Sequence, residues 1–144
     1  PAAPISDISL INPFIEDVTN KISPEYISIG IPLIGYDWVV PFTDGSRANL
    51  ISLNSALSLA YEHGAIIRVD EVSQTPYFKY TRPLGEAIEN HIVWFIDANT
   101  FKALDEVIIE HDLIGTGIWN IASYNQQLFS MANATYNISK LPVQ

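Results

Sequence analysis

Ile29-Gly30-Ile31-Pro32-Leu33-Ile34-Gly35-Tyr36-Asp37-Trp38 is the stretch on which the fold turns. It is an apolar run too short for a useful helix, closed by a glycine and followed by Tyr36, Asp37 and Trp38 side by side. A buried strand that opens into aromatic and carboxylate groups at its C-terminal end is where α/β folds build their sites. A second run, Ile114-Gly115-Thr116-Gly117-Ile118-Trp119-Asn120, ends in the same way. In the first run Ile27, Ile29, Ile31 and Leu33 are branched while Ser28, Gly30 and Pro32 are small. That alternation suits a strand over about 27–33 with both faces buried, the small residues on the side crowded by neighbouring strands. Two such strand ends point to the rim of an α/β barrel.

The flanking segments supply helices. Asn12 is positioned to cap a helix with Pro13 at its first position and Glu16 and Asp17 near its positive end. Phe14, Ile15, Val18 and Ile22 then share one face, and Ser23-Pro24 stops the helix. The Thr43-Asp44-Gly45-Ser46 sequence is a loop. Leu53, Leu57, Ala60 and Tyr61 mark a short helix closed by Gly64. Three strand-like runs follow at 65–70, 76–81 and 91–96, too close together for crossover units, so they read as an antiparallel meander. Asn99 or Thr100 caps the next helix, whose stripe is Phe101, Leu104, Val107 and Ile108 and which ends near His111-Asp112. A last helix is expected over 124–132. Parallel strands separated by helices indicate part of a barrel, and two strands cannot close one.

Composition narrows the classes of function. The 144 residues are 48% hydrophobic and only 16% charged, with a mean hydropathy of +0.16, which suits a piece covered by other protein. A net charge of -9 without any basic run excludes a nucleic-acid partner. The absence of cysteine excludes a disulfide framework, thiol catalysis and cysteine-ligated zinc. No apolar run reaches membrane-spanning length, so no membrane partner is expected. His63, His91 and His111 show no metal-ligand spacing, and neither metal nor other cofactor is expected. With no starting Met and no signal-peptide pattern, Pro1-Ala2-Ala3-Pro4 reads as a loop entered from upstream, and the chain as a fragment.

Four segments in order carry a family resemblance across nearly the whole chain. They are 29–38; Asp70-Glu71-Val72-Ser73-Gln74-Thr75-Pro76-Tyr77-Phe78-Lys79-Tyr80; His91-Ile92-Val93-Trp94-Phe95-Ile96-Asp97-Ala98; and Gly117-Ile118-Trp119-Asn120-Ile121. With these the chain resembles the C-terminal part of glycoside hydrolase family 18, most closely its branch of spore-cortex-lytic and spore-germination N-acetylglucosaminidases. The resemblance implies strands seven and eight of a (β/α)8 TIM barrel carrying a small antiparallel α+β insertion. Residues 1–64 and 98–144 are then barrel, and 65–97 the chitinase-type insertion. Ile96 departs from the branch, which usually has an acidic residue there.

The implied activity is hydrolysis of β-1,4-linked N-acetylglucosamine polymers, cortex peptidoglycan or a chitin-like glycan. In this family a glutamate on the fourth strand protonates the leaving oxygen and the substrate's acetamido group is the nucleophile, an exception to the two-carboxylate scheme. That strand is absent from this sequence, and no carboxylate here matches the acid, so the chain alone is expected to be inactive. The implied partners are the glycan and the remainder of the barrel, and the implied location is extracellular, the cell envelope or the spore coat and cortex. A barrel that has lost its acid and only binds glycan is the other reading; an Asp-x-x-Asp-x-Asp-x-Glu run upstream distinguishes the two. A small α/β unit that folds alone is a third.

A sugar ring has an apolar face and a polar rim, so its site wants a flat aromatic surface flanked by carboxylate or amide groups. Trp119 with Asn120 beside it has both, and by similarity Trp119 is the floor under the sugar; otherwise it fills the barrel centre. Neighbours along a strand face opposite ways, so Tyr36 and Trp38 cannot enter the same pocket as Asp37. Trp38 is assigned to substrate contact, and Asp37 either to the rim or to a backbone turn. Asp70, Glu71, Gln74 and Tyr77 form one side of a substrate groove, or else Asp70 and Gln74 tie a tight turn through side-chain hydrogen bonds.

Overall fold

The computed structural model describes residues 2–119, 123 and 125–136. Its elements are α1 (Ile8–Thr19), β1 (Ser28–Pro32), β2 (Gly35–Val40), β3 (Asn49–Ile51), α2 (Leu53–Glu62), β4 (Arg68–Asp70), β5 (Thr75–Leu84), β6 (Ala87–Phe95), α3 (Ala98–Glu110), β7 (Gly115–Trp119) and α4 (Gln126–Thr135). They form a two-stranded parallel sheet, β1-β7, and a five-stranded antiparallel sheet in the order β3-β2-β6-β5-β4.

The two quoted runs are partners. β1 and β7 pair in parallel from Ser28↔Gly115 to Pro32↔Trp119, and Leu33 N–H donates to the Trp119 carbonyl at 2.7 Å. Ile29 and Ile31 turn inward against α1, α3 and α4, joined there by Leu33, Ile96, Phe101, Leu104, Ile108 and Leu128. The opposite face carries Ser28, Gly30, Gly117 and Trp119, and a Cβ placed on Gly30 or Gly117 would meet nothing within 4 Å. Ile96, where a carboxylate was expected by resemblance, is 1% exposed in the apolar core, which accepts no unpaired charge.

The antiparallel meander is present as β4, β5 and β6, but the sheet is larger than the sequence indicates. β2 pairs with β6 from Gly35↔Phe95 to Val40↔Asn90, and β3 flanks β2. A boundary after residue 64 therefore cuts through this sheet. Tyr36, Asp37 and Trp38 lie on β2, within the antiparallel sheet and beyond the end of β1. The crossing from one sheet to the other requires Gly35. A Cβ there would stand 2.9 Å from the Phe95 Cβ and 3.1 Å from the Trp94 carbonyl oxygen.

Helix boundaries follow their caps. α1 begins at Ile8 because the Asp7 carboxylate accepts from Ser9 N–H at 3.0 Å; Asn12 is not its cap, and Pro13 lies inside the helix. The core-facing stripe is Ile8, Ile11 and Ile15, leaving Phe14 64% exposed. In α2 the buried residues are Ala56 and Ala60, while Tyr61 is 89% exposed. Phe78 and Phe95 fill the space on the sheet, so only small side chains let the helix approach. Gly64 takes φ +58 and ends the helix as expected, with Ala65 N–H returning to the Ala60 carbonyl. α3 has the expected stripe, but its cap is Asp97, which accepts from the Asn99 and Thr100 amides. α4 starts behind Asn125, whose side chain accepts from Leu128 N–H, and runs to Thr135.

Candidate functional site

Trp119 ends β7 directly opposite Pro32 and is 53% exposed in this chain. Asn120 lies outside the described residues. From Leu33, which bonds the Trp119 carbonyl, the chain reaches Tyr36 in three residues, about 10 Å at strand rise. The antiparallel sheet thus begins beside the C-terminal end of the parallel pair.

Directly paired residues in a sheet share a face. The register Leu50↔Tyr36↔Trp94↔Tyr77↔Arg68 therefore sets one row across all five strands. Three aromatic rings occupy its middle, Tyr77 and Trp94 with centroids 4.7 Å apart. The next row on the same face is Trp38, Ile92 and Lys79. Trp38 is 6.3 Å from Tyr36, and Phe42 meets it edge-on. The indole N–H groups of Trp38 and Trp94 are buried without an acceptor among the described residues, although such donors usually find one. Of the expected contact residues, this face brings Tyr36, Trp38 and Tyr77 together.

Asp37 does not join them. Assigned from sequence to the substrate-binding set, it points to the opposite face and is only 6% exposed. Its Oδ2 accepts from the Tyr80 hydroxyl at 2.8 Å, and His91 Nδ1 donates to Oδ1, also at 2.8 Å. On the far side of the imidazole, His91 Nε2 stands 3.4 Å from Glu89 Oε2, which accepts from Arg82 Nε at 2.8 Å. The His91 ring stacks on Tyr80 with centroids 4.5 Å apart, and the His63 ring meets Tyr80 at a tilt with centroids 4.4 Å apart. Burial and the bond to Asp37 raise the Tyr80 hydroxyl well above the usual tyrosine range. The Arg82 bond holds the Glu89 carboxyl below its usual range. This network joins β2, β5 and β6 beneath α2, and it absorbs Asp37 as a structural group. The sequence carried a trace of it: with Phe78, Val93 and Phe95 inward, period two places Tyr80 and His91 inward as well.

Asp70 and Gln74 tie the turn between β4 and β5. Ser73 N–H donates to Asp70 Oδ2 at 2.8 Å, and hydrogen bonding from Ser73 lowers the Asp70 carboxyl from its usual range. Gln74 takes φ 55 and donates from Nε2 to the Glu71 carbonyl, leaving the Glu71 side chain exposed beside the turn. No three His, Asp or Glu side chains converge on a metal site among the described residues.

No protein-family model matches the chain. The cortical fragment-lytic enzyme of Bacillus subtilis (strain 168) is 30% identical over 141 residues, covering 97% of this chain and 32% of the relative. The crystal structure of the spore cortex-lytic enzyme SleL of Bacillus megaterium QM B1551 superposes with a TM-score of 0.90 at 29% identity, covering 99% of this chain and 33% of that one. A chitinase from Chromobacterium violaceum ATCC 12472 shares the fold alone, with a TM-score of 0.79 at 17% identity over 92% of this chain and 39% of that one. The chain spans about a third of the length of the relatives it matches. In sequence and in fold it is a relative of the glycoside hydrolase family 18 proteins, beside their spore-cortex-lytic branch.

Proposed function

We propose that this chain is the C-terminal portion of a (β/α)8 glycosidase barrel, with β1 and β7 as its seventh and eighth strands. The protein cleaves β-1,4-linked N-acetylglucosamine polymers by substrate-assisted, retaining hydrolysis. The observation that carries this reading is the exposed Trp119 at the C-terminal end of a parallel pair, beside a sheet face lined by Tyr36, Trp94 and Tyr77. C-terminal strand ends are where such barrels hold their substrates, and aromatic faces match the apolar faces of sugar rings. The bare side of the pair, with Gly30 and Gly117, is the wall turned to the barrel interior and leaves space for side chains from the other strands.

In this reading the chain supplies walls and a floor, and the proton donor belongs to a strand outside it. The likeness to cortex-lytic enzymes favours spore peptidoglycan as the polymer and the spore as the location. No helix among the described residues is long and apolar enough to cross a membrane. The test is release of reducing ends from N-acetylglucosamine oligomers and from spore cortex, by the full-length protein and by the 144-residue chain. Turnover by the former and none by the latter is expected. Turnover by a pure sample of the chain would show that the acid has been misplaced. Glycan binding without turnover by the full-length protein would instead favour a barrel that only binds glycan.

A further inference from the structure

β5 is longer than the strand that covers it. β4 pairs only with 75–77, whereas β5 runs on to Leu84, so its edge from Lys79 onward has no strand beside it among the described residues. The hairpin to β6 fixes which backbone groups point that way. Leu84 and Ala87 close it around the two-residue turn Gly85-Glu86, with Gly85 at φ +62, and a turn of this kind makes its closing pair a hydrogen-bonded one. Alternation along the ladder then commits the amides of Arg82, Tyr80 and Phe78 to β6 and turns those of Lys79 and Thr81 outward. Pro83, which has no N–H to offer, falls in the outward set.

The chain that leaves this edge does not close over it. Residues 63–66 face 77–81 across a cleft of about 590 Å³, within the roughly 300–1,000 Å³ of ordinary ligand clefts. With that far wall in place, one extended segment fits beside β5 but the sheet edge of a second copy does not. The cleft continues the line of β4. A residue there opposite Lys79 would stand about 4.8 Å from it across the ladder and about 6.6 Å from Arg68 along the line. Arg68 and Lys79 share one face, are exposed, and have no ion pair among the described residues, on a chain of net charge -9. Asp70, two residues along β4, is occupied in accepting from Ser73 N–H. A lysine on a free edge ordinarily keeps other strands away. A carboxylate opposite it turns that repulsion into attraction, here bracketed by two cations. The neighbouring position, opposite Tyr80, faces the other side, where Ala65, Phe78 and the His63 ring against Tyr80 present an apolar wall.

We propose that the free edge of β5 is a docking site for a partner polypeptide. An extended segment of that partner pairs antiparallel with β5, in line with β4, through the Lys79 and Thr81 backbone, and sets an acidic residue opposite Lys79 and an apolar one opposite Tyr80. The inference is independent of the glycan reading and concerns a different ligand class. The test is binding of three labelled octapeptides to the full-length protein, with hydrogen exchange followed at Lys79 and Thr81. The first alternates glutamate and valine, the second has lysine for glutamate, and the third is the first with every glutamate amide N-methylated. The glutamate peptide should bind about tenfold tighter than the lysine peptide, with the difference shrinking at high salt, and should slow exchange at both amides. In an antiparallel pair the residue opposite Lys79 turns its own N–H to β5, so the methylated peptide should not bind. Arg68→Gln with Lys79→Gln should remove the charge preference. Thr81→Pro deletes one outward N–H without touching the β6 ladder and should weaken the glutamate peptide about tenfold, leaving glycan turnover unchanged. Equal binding of the two charged peptides, binding of neither, or binding that leaves exchange at Lys79 and Thr81 unchanged would overturn the inference. So would slow exchange at both in the free protein, which would mean that the edge is already covered. None of these results bears on the glycan reading.

Discussion

Asp37→Ala tests whether the polar cluster under α2 is structural. Asp37 and Tyr80 are each 6% exposed and His91 only 1%, so water cannot replace the lost acceptor freely. The substitution removes two hydrogen bonds, from the Tyr80 hydroxyl and from His91 Nδ1, both to one carboxylate. Hydrogen bonds to a charged group contribute about 1.5–3 kcal/mol each, and a buried donor left unpaired costs its desolvation. The expected loss is about 3–5 kcal/mol, a large fraction of the roughly 5–15 kcal/mol that stabilises an ordinary domain. Urea unfolding followed by tryptophan fluorescence reads this sheet, because Trp38 and Trp94 lie on it. Combined with Tyr80→Phe, the two changes should be non-additive by about 1–3 kcal/mol, since they share one bond. Asp44→Ala in the exposed loop is the control and should stay within about 0.5 kcal/mol of the parent. A loss below about 1 kcal/mol for Asp37→Ala, or strict additivity with Tyr80→Phe, refutes the assignment.

Other changes probe other parts of the fold. Trp119→Ala in the full-length protein should weaken glycan binding by about 1–3 kcal/mol, the scale of one large aromatic contact; unchanged affinity in a titration would remove Trp119 from the floor of the site. Gly35→Ala should destabilise by about 1–3 kcal/mol, because its methyl meets the Phe95 Cβ and the Trp94 carbonyl, and a thermal scan checks this. Asp105 is held above the usual carboxylate range by burial and then by Glu106, while accepting from the Tyr136 hydroxyl. An acid whose native pKa is raised binds its proton more tightly when folded, so its stabilisation is present at low pH and lost as pH rises through the carboxylate range. Asp105→Asn should therefore raise the unfolding midpoint near neutral pH and change it little in acid, and an equal effect at both would refute the reasoning.

Features that depend on near neighbours in sequence were legible. The α3 stripe of Phe101, Leu104, Val107 and Ile108, the Gly64 stop and the strand over 28–32 each follow from periodicity or a single backbone requirement. The opposed facing of Asp37 and its neighbours was also readable, because strand period is a local property. The start of α1 was misread because Pro13 fits a first helical position. The competing cap at Asp7 has its advantage only when Ile8 and Ile11 find a core.

What the sequence determined alone was therefore the four helices, the strands β1, β4, β5, β6 and β7, and the parallel sense of the two glycine-bearing strands, but not β2 or β3. Tertiary structure alone decided which sheet received 35–40, which face of α2 was buried, and which partners Asp37 found. Those partners lie 43 and 54 residues away, and Arg68 meets Tyr77 only through the β4–β5 register. Local preference acts over a few bonds. Partner choice across a sheet depends on which strands close against each other, and that is a property of the packed chain.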